Sequence, residues 1–561
     1  MAEARELTRT RVVYQNIKDL FAAHTIRNTG GLLFLLLAIF LLWPIFMVLL
    51  KSINGPEGIT LQYYKEFVTK DYYYRSFFNT LLLGLIVTPL CIGAGFCIAY
   101  MTTRGPVFLR RSLRLIALLP LMAPPFIFAL SLIILLGHNG IITKALNLSW
   151  SIYGFTGCVI SQTLWLIPLA YMMIENTLST LNPNLEDSAA NLGASEGKIL
   201  RSIIIPLLTP GFLKAALIIF VMTVSAFGAL AILCGRTPFL APDVYLLITG
   251  EGDFNRASVL SMFLILPCAV IFIIQNYLIR GKRYTTIVGK PVAAEPKHLG
   301  PVILIPMLAV SFIACGFILL TFGVVGIAAF IKLMGIDNTF TLIYILDARS
   351  NVALTNSIKI SLLSGLLGAM LGVLLAYVII RGKFKGLAAL EGLGLAGFTL
   401  PGTVMGIGYI LAFNKPPLIL TGTLAILVLN CAFRQLGVGM EAGIIKLKQL
   451  SIEIEEASLN LGANVVTTFR RIVLPIIFPA CMYGFMYVFI LSMIGLSAVV
   501  FLVTPGYELA SVYIFDAAIW GELGIACATT IKLVIVVGIC LAIIQGLSKW
   551  TGLSAAARRG V

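Results

Sequence analysis

The sequence predicts an all-α polytopic membrane protein with about twelve transmembrane helices, arranged as two pseudo-symmetric halves of six. Composition and an internal repeat are the two observations that predict it. Of the 561 residues, 59% are hydrophobic and only 11% are charged, and the mean hydropathy is +1.00. About 25% of the residues of an ordinary soluble chain are charged. A water-soluble fold could not cover so much apolar surface, so most of this chain must lie in lipid.

The internal repeat is centred on a polar, helix-prone segment that occurs twice. We call residues 186–193 the first island and residues 455–462 the second island, and a proline follows each of them, at Pro206 and Pro475. The glycines that end the islands and the two prolines are each displaced by 269 positions. Two copies in one register indicate a duplicated unit.

The repeat extends beyond the islands. Three further pairs of segments are displaced by 277 positions: Asn79-Thr80 with Asn356-Ser357, Arg104-Gly105 with Arg381-Gly382, and Pro124-Pro125 with Pro401-Gly402. The change from 277 to 269 implies a net shortening of the second half by eight residues between positions 402 and 462. Two copies with one membrane orientation predict a two-fold axis along the membrane normal.

Twelve apolar runs account for the predicted spans. They lie at about 31–50, 79–100, 114–136, 153–175, 211–234, 257–279, 302–333, 355–380, 388–413, 417–440, 480–503 and 523–546. The predicted order is an N-terminal segment (1–30), a first half (31–280), a basic linker (281–300), a second half (301–548) and a tail (549–561). The polar, tyrosine-rich residues 51–77 are predicted to form an outer loop with an interfacial aromatic belt.

The net charge of +16 indicates membrane topology rather than nucleic-acid binding. The excess Lys and Arg lie in short loops, which is typical of the cytoplasmic side of a membrane protein, and no basic stripe with interleaved aromatics is present. Both termini and both islands are therefore predicted to be cytoplasmic. The ten cysteines and three histidines are scattered, form no Cys-x-x-Cys pair and predict no metal site.

Each island is predicted to be a short amphipathic helix that serves a partner in water. In the first island Leu185, Ala189 and Leu192 share one helix face, and Gly193 is predicted to end the helix in a left-handed conformation, with a second short helix resuming at Ser195. Such a helix is too short to span a bilayer, and we expect it to dock into a groove on another protein. The alternative is a helix lying on lipid, but interfacial helices are rich in Lys, Arg and aromatics, whereas these begin with acidic residues.

The islands also carry a resemblance to a known family. The pattern Glu-Ala-Ala, three residues, Gly, nine residues, Ile-x-Leu-Pro resembles the EAA loop of ABC importer permeases. The second copy matches it at Glu456, Ala457, Gly462, Ile472, Leu474 and Pro475, with Ser458 in place of the second Ala. The first copy is looser, with Asp187-Ser188-Ala189 for the triplet, then Gly193, Ile203 and Pro206, and with Ile205 in place of Leu.

This resemblance implies a type I ABC importer-like fold, with coupling helices near 186–200 and 455–469 that dock on an ATP-binding subunit. The implied coupling residues are Glu186, Asp187, Ser188, Ala189, Gly193, Ala194, Pro206, Glu455, Glu456, Ala457, Ser458, Gly462, Ala463 and Pro475. The implied partners are two copies of the ATP-binding subunit and a periplasmic or lipid-anchored solute-binding protein, at the bacterial inner membrane.

The chain is not predicted to be an enzyme. It contains no Gly-x4-Gly-Lys-[Ser/Thr] phosphate loop; the nearest approach, Gly197-Lys198, has Leu192 and Ile199 at two of the required positions. We therefore expect no catalytic residue and no cofactor in this chain, with ATP and Mg²⁺ bound by the partner subunits.

The fused two-half arrangement looks like the ferric-iron, organophosphonate and sugar-phosphate branch of the family, and the stretch 497–506 is similar to segments of that branch. Ferric iron is the expected substrate, and phosphonate or phosphorylated solutes stay open as alternatives. A secondary, ion-coupled transporter is a further alternative, although the scarcity of acidic groups at membrane depth argues against it.

The translocation pathway is predicted from breaks and charge within the spans. Pro124-Pro125 and Pro401-Gly402 interrupt corresponding spans of the two halves, and such matched breaks point to a central pathway. Arg434 is the clearest charge inside a span. Intramembrane charges often mark pathways, but snorkelling of Arg434 to the nearby cytoplasmic face would explain it equally well.

Overall fold

The computed structural model describes residues 24–147, 149–281 and 300–550, and within these ranges it is almost entirely helical. Most of the predicted N-terminal segment (1–23), nearly all of the linker (282–299) and the tail from 551 lie outside the described residues. Two short antiparallel hairpins, β1 (Asn54–Gly55) with β2 (Gly58–Ile59) and β3 (Ile331–Leu333) with β4 (Asp337–Phe340), are the strands of the described ranges.

The helices are numbered in chain order. The first half contains α1 (His24–Ile53), α2 (Gln62–Thr69), α3 (Asp71–Thr103), α4 (Val107–Leu118), α5 (Ile127–Leu136), α6 (Ile141–Ala145), α7 (Phe155–Ser179), α8 (Asn184–Asn191), α9 (Glu196–Val224), α10 (Gly228–Leu233), α11 (Leu240–Thr249) and α12 (Phe254–Gly281). The second half contains α13 (Pro301–Ala328), α14 (Ala348–Arg381), α15 (Leu387–Thr399), α16 (Gly402–Phe413), α17 (Leu424–Gln449), α18 (Ile452–Asn460), α19 (Val465–Ile494), α20 (Ala510–Ile519) and α21 (Leu523–Trp550).

The number of spans agrees with the sequence. Among the described residues, eleven helical segments are long and apolar enough to cross a membrane, with α5 and α6 taken together as one segment (Ile127–Ala145), or twelve if the bent pair α15 and α16 is one span. This confirms the all-α, polytopic prediction. Because the two halves repeat the same order of helices, they also confirm the pseudo-symmetric arrangement.

Several predicted spans are not continuous helices. The long helices of spans 211–234 and 480–503 end early, at Val224 and Ile494, and two other spans are broken at prolines. The predicted span 388–413 is a pair of helices that meet at 109°, and the predicted span 114–136 is broken between α4 and α5. The breaks fall at Pro401 and at Pro124-Pro125, because proline lacks the backbone N–H that would continue a helix and disfavours helical geometry in the preceding residue.

The first helix of each half packs against the opposite half. Helix α1 contacts α16, with the Tyr409 hydroxyl donating a hydrogen bond to the Phe40 carbonyl at 2.9 Å, and α13 contacts α3 and α5. The two halves are therefore interlocked rather than placed side by side.

The ends of the membrane helices are fixed by polar side chains of the repeat. At the end of the bundle far from the islands, the Asn79 amide donates to the Pro238 carbonyl and Thr80 Oγ1 accepts from the backbone N–H of Leu240. In the second half, Asn356 donates to the carbonyls of Gly506 and Glu508, and Ser357 accepts from the backbone N–H of Ala510. Each repeated pair thus anchors the start of a short apolar helix, α11 or α20, to the head of α3 or α14.

The predicted outer loop 51–77 is more ordered than a loop. It consists of the first hairpin, helix α2 and the first residues of α3. Tyr72, in the first turn of α3, donates a hydrogen bond at 2.8 Å to the buried carboxylate of Asp243 on α11. The second half makes the same connection with the roles exchanged, because Tyr513 on α20 donates to Asp347 at the head of α14.

Close helix packing within each half depends on glycine at one equivalent position. A Cβ atom at Gly95 of α3 would lie 2.7 Å from Ala170 Cβ on α7, and one at Gly372 of α14 would lie 3.0 Å from the Leu436 carbonyl on α17. Both distances are shorter than normal contacts between these atoms. The backbones approach closely only because no side chain is present.

We predict that Gly95→Leu destabilises the protein by about 1–3 kcal/mol, because overpacking forces the two helices apart. The measurement is thermal unfolding of the detergent-solubilised protein. Gly93→Leu is the matched control, since Gly93 lies on the same helix and is exposed, and a Cβ atom added there would meet none of the described atoms within 4 Å. Equal unfolding temperatures for the two variants would contradict this account of the packing.

Candidate functional site

Both islands form the same structure at the same end of the bundle. Helix α8 ends at Gly193 with φ of 83°, and α18 ends at Gly462 with φ of 100°, which confirms the predicted left-handed conformation. The backbone N–H of Ala194 bonds to the Ala189 carbonyl and that of Gly193 to the Ala190 carbonyl. Residues 458–463 repeat this pair of bonds. The arrangement is a Schellman motif, in which glycine avoids the strain that a side chain would meet at positive φ.

The segment after each glycine differs from the prediction. No separate second helix forms, because the helix that begins at Glu196 continues as α9 through a single π turn at Leu200–Ile204. The second half repeats this, with the π turn at Phe469–Val473. Each π turn directly precedes the proline of the motif, Pro206 or Pro475, which cannot donate the next backbone hydrogen bond.

A buried ion pair joins the first island to the membrane helices. Arg104, just after the end of α3, donates from Nε and Nη2 to Glu186 Oε1 at 3.1 and 2.9 Å. Arg104 is 1% exposed and Glu186 is 4% exposed. Because both charges have left water, each is stabilised chiefly by the other.

The second island has the equivalent ion pair. Arg381 ends α14 and donates to Glu455 Oε1 from Nε at 2.8 Å and from Nη2 at 2.7 Å. The Tyr377 hydroxyl donates to the other carboxylate oxygen at 3.1 Å, and Arg381 also donates to the Leu450 carbonyl. The two arginines are 277 positions apart and the two glutamates 269, so both pairs belong to the repeat.

Sequence reasoning identified the members of these pairs but not their contact. It named Glu186 and Glu455 as coupling residues and Arg104 and Arg381 as members of the repeat. The signal that could have found the pairing is that a basic and an acidic position are both retained in the repeat, at the same end of the spans.

Each island also presents a leucine to the surroundings. Leu192 is 88% exposed and Leu461 is 91% exposed, at identical positions beside the left-handed glycine. The prediction of one continuous apolar face is wrong at the middle position of each island helix. Ala189 is half-buried there, and the equivalent Ser458 is buried, with its hydroxyl 2.9 Å from Thr468 Oγ1 in a hydrogen bond. Single exposed apolar side chains are common on protein surfaces, but here both copies of the repeat expose a leucine at the same position of the same turn.

The other predicted coupling residues surround this leucine. Those on the outer surface are Asp187, Ser188, Pro206, Glu456, Ala457 and Pro475, and those half-buried are Ala194 and Ala463. The two acids that belong to the motif, Asp187 and Glu456, thus lie on the surface, while the preceding acids Glu186 and Glu455 anchor the helix from beneath.

A cavity of about 140 Å³ lies between the two halves. Its lining consists of Pro125, Phe126, Gln162, Trp165, Met222, Ser225, Ala226, Phe227, Gly228, Ala229, Phe398, Arg434, Gln435, Leu491, Ile494, Gly495, Leu496 and Ser497. Residues 225–228 and 494–497 are related by 269 positions, as are Trp165 and Arg434. The cavity therefore lies on the pseudo-two-fold axis.

Of the predicted pathway residues, Pro125 and Arg434 line this cavity. Gly402 lies directly behind them, since a Cβ atom there would be 2.0 Å from Ser497 Oγ and 3.0 Å from Arg434 Cζ. Pro124 and Pro401 are buried in the helix breaks and are not among the lining residues. Sequence reasoning missed Gln162, Trp165 and Gln435, which occupy helix interiors without a local motif.

Arg434 lies well inside helix α17, far from its island end. It precedes the end of α17 at Gln449 by fifteen residues, which corresponds to about 22 Å along the helix. The side chain of Arg434 lines the cavity between the halves rather than extending along α17 to its island end. None of the lining residues is acidic, and among the described residues no carboxylate forms a salt bridge with Arg434.

An aromatic cluster covers the cavity on the side away from the islands. Phe227 lines the cavity, and its ring lies 5.1 Å from Tyr245 and 5.2 Å from Phe515, measured between ring centroids. Tyr245 is on α11, whereas Phe515 on α20 and Phe501 belong to the second half. The cluster thus joins the two halves directly above the pathway.

Comparison with known proteins decides the family. Residues 91–284 match the family model described as binding-protein-dependent transport system inner membrane component. The chain is 30% identical over 524 residues to the ferric transport system permease protein FbpB of Actinobacillus pleuropneumoniae, covering 90% of this chain and 76% of that protein. A putative ferric transport system permease protein FbpB 1 of Haemophilus influenzae is also 30% identical, over 85% of this chain and 78% of its own length. The chain belongs to this permease family.

The permease also has a partial structural likeness to a solved chain. That chain is from a bacterial ABC transporter involved in the import of the acidic polysaccharide alginate, and the likeness covers 50% of the permease and all of that chain, at 16% identity and a TM-score of 0.39. Family membership therefore depends on the sequence relatives. It identifies the permease as a multi-pass inner-membrane transport component and sets aside the secondary transporter.

The described part of the permease offers no site for a resident metal. No group of three or more His, Cys, Asp or Glu side chains in those residues could hold a metal ion, and the ten cysteines are free and mostly buried.

We predict that Glu455→Gln destabilises the second coupling region by about 1–3 kcal/mol, because the side chain of Arg381, only 12% exposed, would lose its counterion. Hydrogen–deuterium exchange of residues 452–463 should accelerate accordingly. Glu456→Gln is the matched control, since Glu456 is adjacent but exposed. If the two variants exchange alike, Glu455 does not anchor the helix.

Proposed function

We propose that this permease forms the membrane pathway of an ATP-driven importer for ferric iron. The observation that supports the substrate is the 30% identity to a ferric transport permease over 90% of this chain. Phosphonate or phosphorylated solutes remain the alternative, and the single positive charge of Arg434 in the central cavity is the observation that favours an anionic solute.

In this proposal the islands are the surfaces on which the ATP-binding subunits act. Two copies of an ATP-binding subunit bind one island each, with ATP and Mg²⁺ held by those subunits and no cofactor in the permease. Leu192 and Leu461 are the apolar contacts, and Asp187 and Glu456 beside them supply charge at the rim. A buried apolar anchor surrounded by polar groups is the usual composition of a strong protein interface.

The ion pairs turn docking into movement of membrane helices. Because Glu186 is fixed to Arg104 at the end of α3, a displacement of α8 displaces α3 as well, and Glu455 and Arg381 do the same for α14. ATP binding closes the partner subunits and favours one arrangement of the two halves, and hydrolysis restores the other. The energy enters as a difference in the affinity of the partners for the two arrangements.

The proposed orientation follows from the same contacts. The island end faces the cytoplasm together with both termini, and the opposite end, with its hairpins and the short helices α11 and α20, receives a periplasmic or lipid-anchored solute-binding protein. The aromatic cluster around Phe227 then closes the cavity toward the periplasm in this arrangement of the two halves.

We predict that Leu192→Glu and Leu461→Glu each weaken binding of the ATP-binding subunit by at least about tenfold, because burial of one leucine contributes roughly 1.5–3 kcal/mol. The double variant should lose co-purification of that subunit. Both leucines are almost fully exposed in the permease alone, so the variants should fold normally.

Ile336→Glu is the matched control for these variants. Ile336 is also an exposed aliphatic residue, at 63%, but it lies in the hairpin at the opposite end. Equal loss of the partner in the control and the island variants would contradict docking at the islands, as would full binding by the double island variant.

Substrate identity is tested with the complete transporter in proteoliposomes. We expect ATP-dependent accumulation of ⁵⁵Fe delivered by the cognate binding protein, and no accumulation without ATP or without the binding protein. Labelled 2-aminoethylphosphonate delivered in the same way is the competing substrate. Its accumulation in place of ⁵⁵Fe would overturn the iron assignment while leaving the importer class intact.

A further inference from the structure

The central cavity combines one charge with unpaired polar groups. The guanidinium of Arg434 comes from α17 of the second half, and no acidic side chain lines the same space. In a region of low dielectric constant, an uncompensated cation is strongly unfavourable unless a ligand or water satisfies it. The site therefore has an electrostatic requirement for negative charge.

Two glutamines supply a second and independent observation. Gln162 of α7 is 1% exposed and Gln435 of α17 is 6% exposed, and both line the cavity. The side-chain Oε1 atom of each is buried and has no hydrogen-bond partner among the described residues. Buried polar groups are nearly always paired. Two unpaired amide oxygens at the same cavity, which can only accept, therefore indicate a ligand that brings O–H donors between them.

The groups fit an oxyanion better than a bare metal cation. A guanidinium donates paired hydrogen bonds to carboxylate, carbonate or phosphate oxygens. The two amide oxygens accept hydrogen bonds, which the O–H of hydrogen phosphate, hydrogen carbonate or a hydroxy acid, or a water coordinated to iron, can donate. A trivalent cation without ligands in the same cavity would be repelled by the positive charge of Arg434. The same cation surrounded by anionic oxygens would present a neutral or negative surface.

We propose that the cavity is a transient binding site for the oxyanion part of the cargo, with Arg434, Gln162 and Gln435 as the binding residues. The iron part of this inference rests on the proposed function: ferric iron would cross the permease together with a coordinated oxyanion rather than as a bare ion. No bond to iron is exchanged with the protein in this step, because the permease contacts only the oxygens of the ligand.

The arrangement of the three residues also makes binding depend on how the two halves are packed together. Gln162 belongs to the first half, whereas Arg434 and Gln435 belong to the second. An oxyanion held by all three bridges the halves on their pseudo-two-fold axis. Separation of the halves would remove part of the ligand's hydrogen bonds and release it, so binding is confined to one arrangement.

The test uses the complete transporter in proteoliposomes, with the binding protein loaded with ⁵⁵Fe in the presence of ³²P-phosphate, ¹⁴C-carbonate or ¹⁴C-citrate. We expect one of these labelled oxyanions to accumulate with iron in a fixed ratio. Accumulation of ⁵⁵Fe with none of the three anions would overturn the proposal and leave the iron importer intact. This measurement requires no variant and is independent of any effect of mutation on folding.

Variants then assign the site. Arg434→Gln should lower the accumulation of both labels at least tenfold, while co-purification of the ATP-binding subunit stays unchanged, and Arg434→Lys should retain an intermediate rate because the charge is kept. Lys359→Gln is the matched control, since Lys359 is a cation of the membrane helix α14 that is exposed and outside the cavity.

Two other outcomes are distinguishable. If Arg434→Gln leaves coupled uptake unchanged and instead raises passive cation leakage, Arg434 is only an electrostatic barrier and the oxyanion site is refuted. If labelled 2-aminoethylphosphonate accumulates in an Arg434-dependent way and ⁵⁵Fe does not, the oxyanion site is supported and the iron assignment fails.

Discussion

The buried ion pair between each island and the end of a membrane helix is the interaction on which the rest of the structure depends. Helices α8 and α18 have eight and nine residues, and helices this short are unstable in water by themselves. Arg104 with Glu186, and Arg381 with Glu455, hold them in place. Such pairs are not strong sources of net stability, because desolvation offsets most of the attraction, but loss of one partner is costly. They therefore act as specific, rigid connections.

The helices that carry these arginines extend the connection across the membrane. From Thr80 to Arg104, α3 covers twenty-four residues, which is about 36 Å. Its far end anchors α11 through Asn79 and Thr80, and α11 carries Tyr245 of the aromatic cluster. Helix α14 repeats this in the second half. A continuous series of contacts thus leads from each island to the aromatic cluster that covers the cavity.

The sequence predicted those features that are determined locally or by the repeat. The spans follow from apolar runs, and the left-handed turns at Gly193 and Gly462 follow from the needs of a helix end. The burial of Glu186 could not be predicted in this way, because a helical wheel places a carboxylate toward solvent unless the position of Arg104 in space is known. The continuity of α9 was also missed, since its π turn depends on how the backbone accommodates Pro206.

The residues that line the cavity could not be predicted from the sequence for a related reason. Gln162 and Trp165 have no neighbours in sequence that mark them, and they meet Arg434 and Gln435 only when the two halves pack across the axis. What the repeat did indicate was where the helices break, and both breaks lie at the cavity or directly behind it. Symmetry of the backbone was therefore predictable from the repeat, whereas the chemistry of the lining was not.

That chemistry is asymmetric although the backbone is nearly symmetric, because Arg434 in the second half occupies the position of Trp165 in the first. Two identical subunits would place either two arginines or two tryptophans around one small cavity. Two guanidiniums at this spacing would repel each other in a region of low dielectric constant, and two indoles would leave no charge to bind an anion. Fusion of the halves into one chain allows one position to carry the charge and the other to provide an apolar wall, so a single anionic ligand meets one cation rather than two.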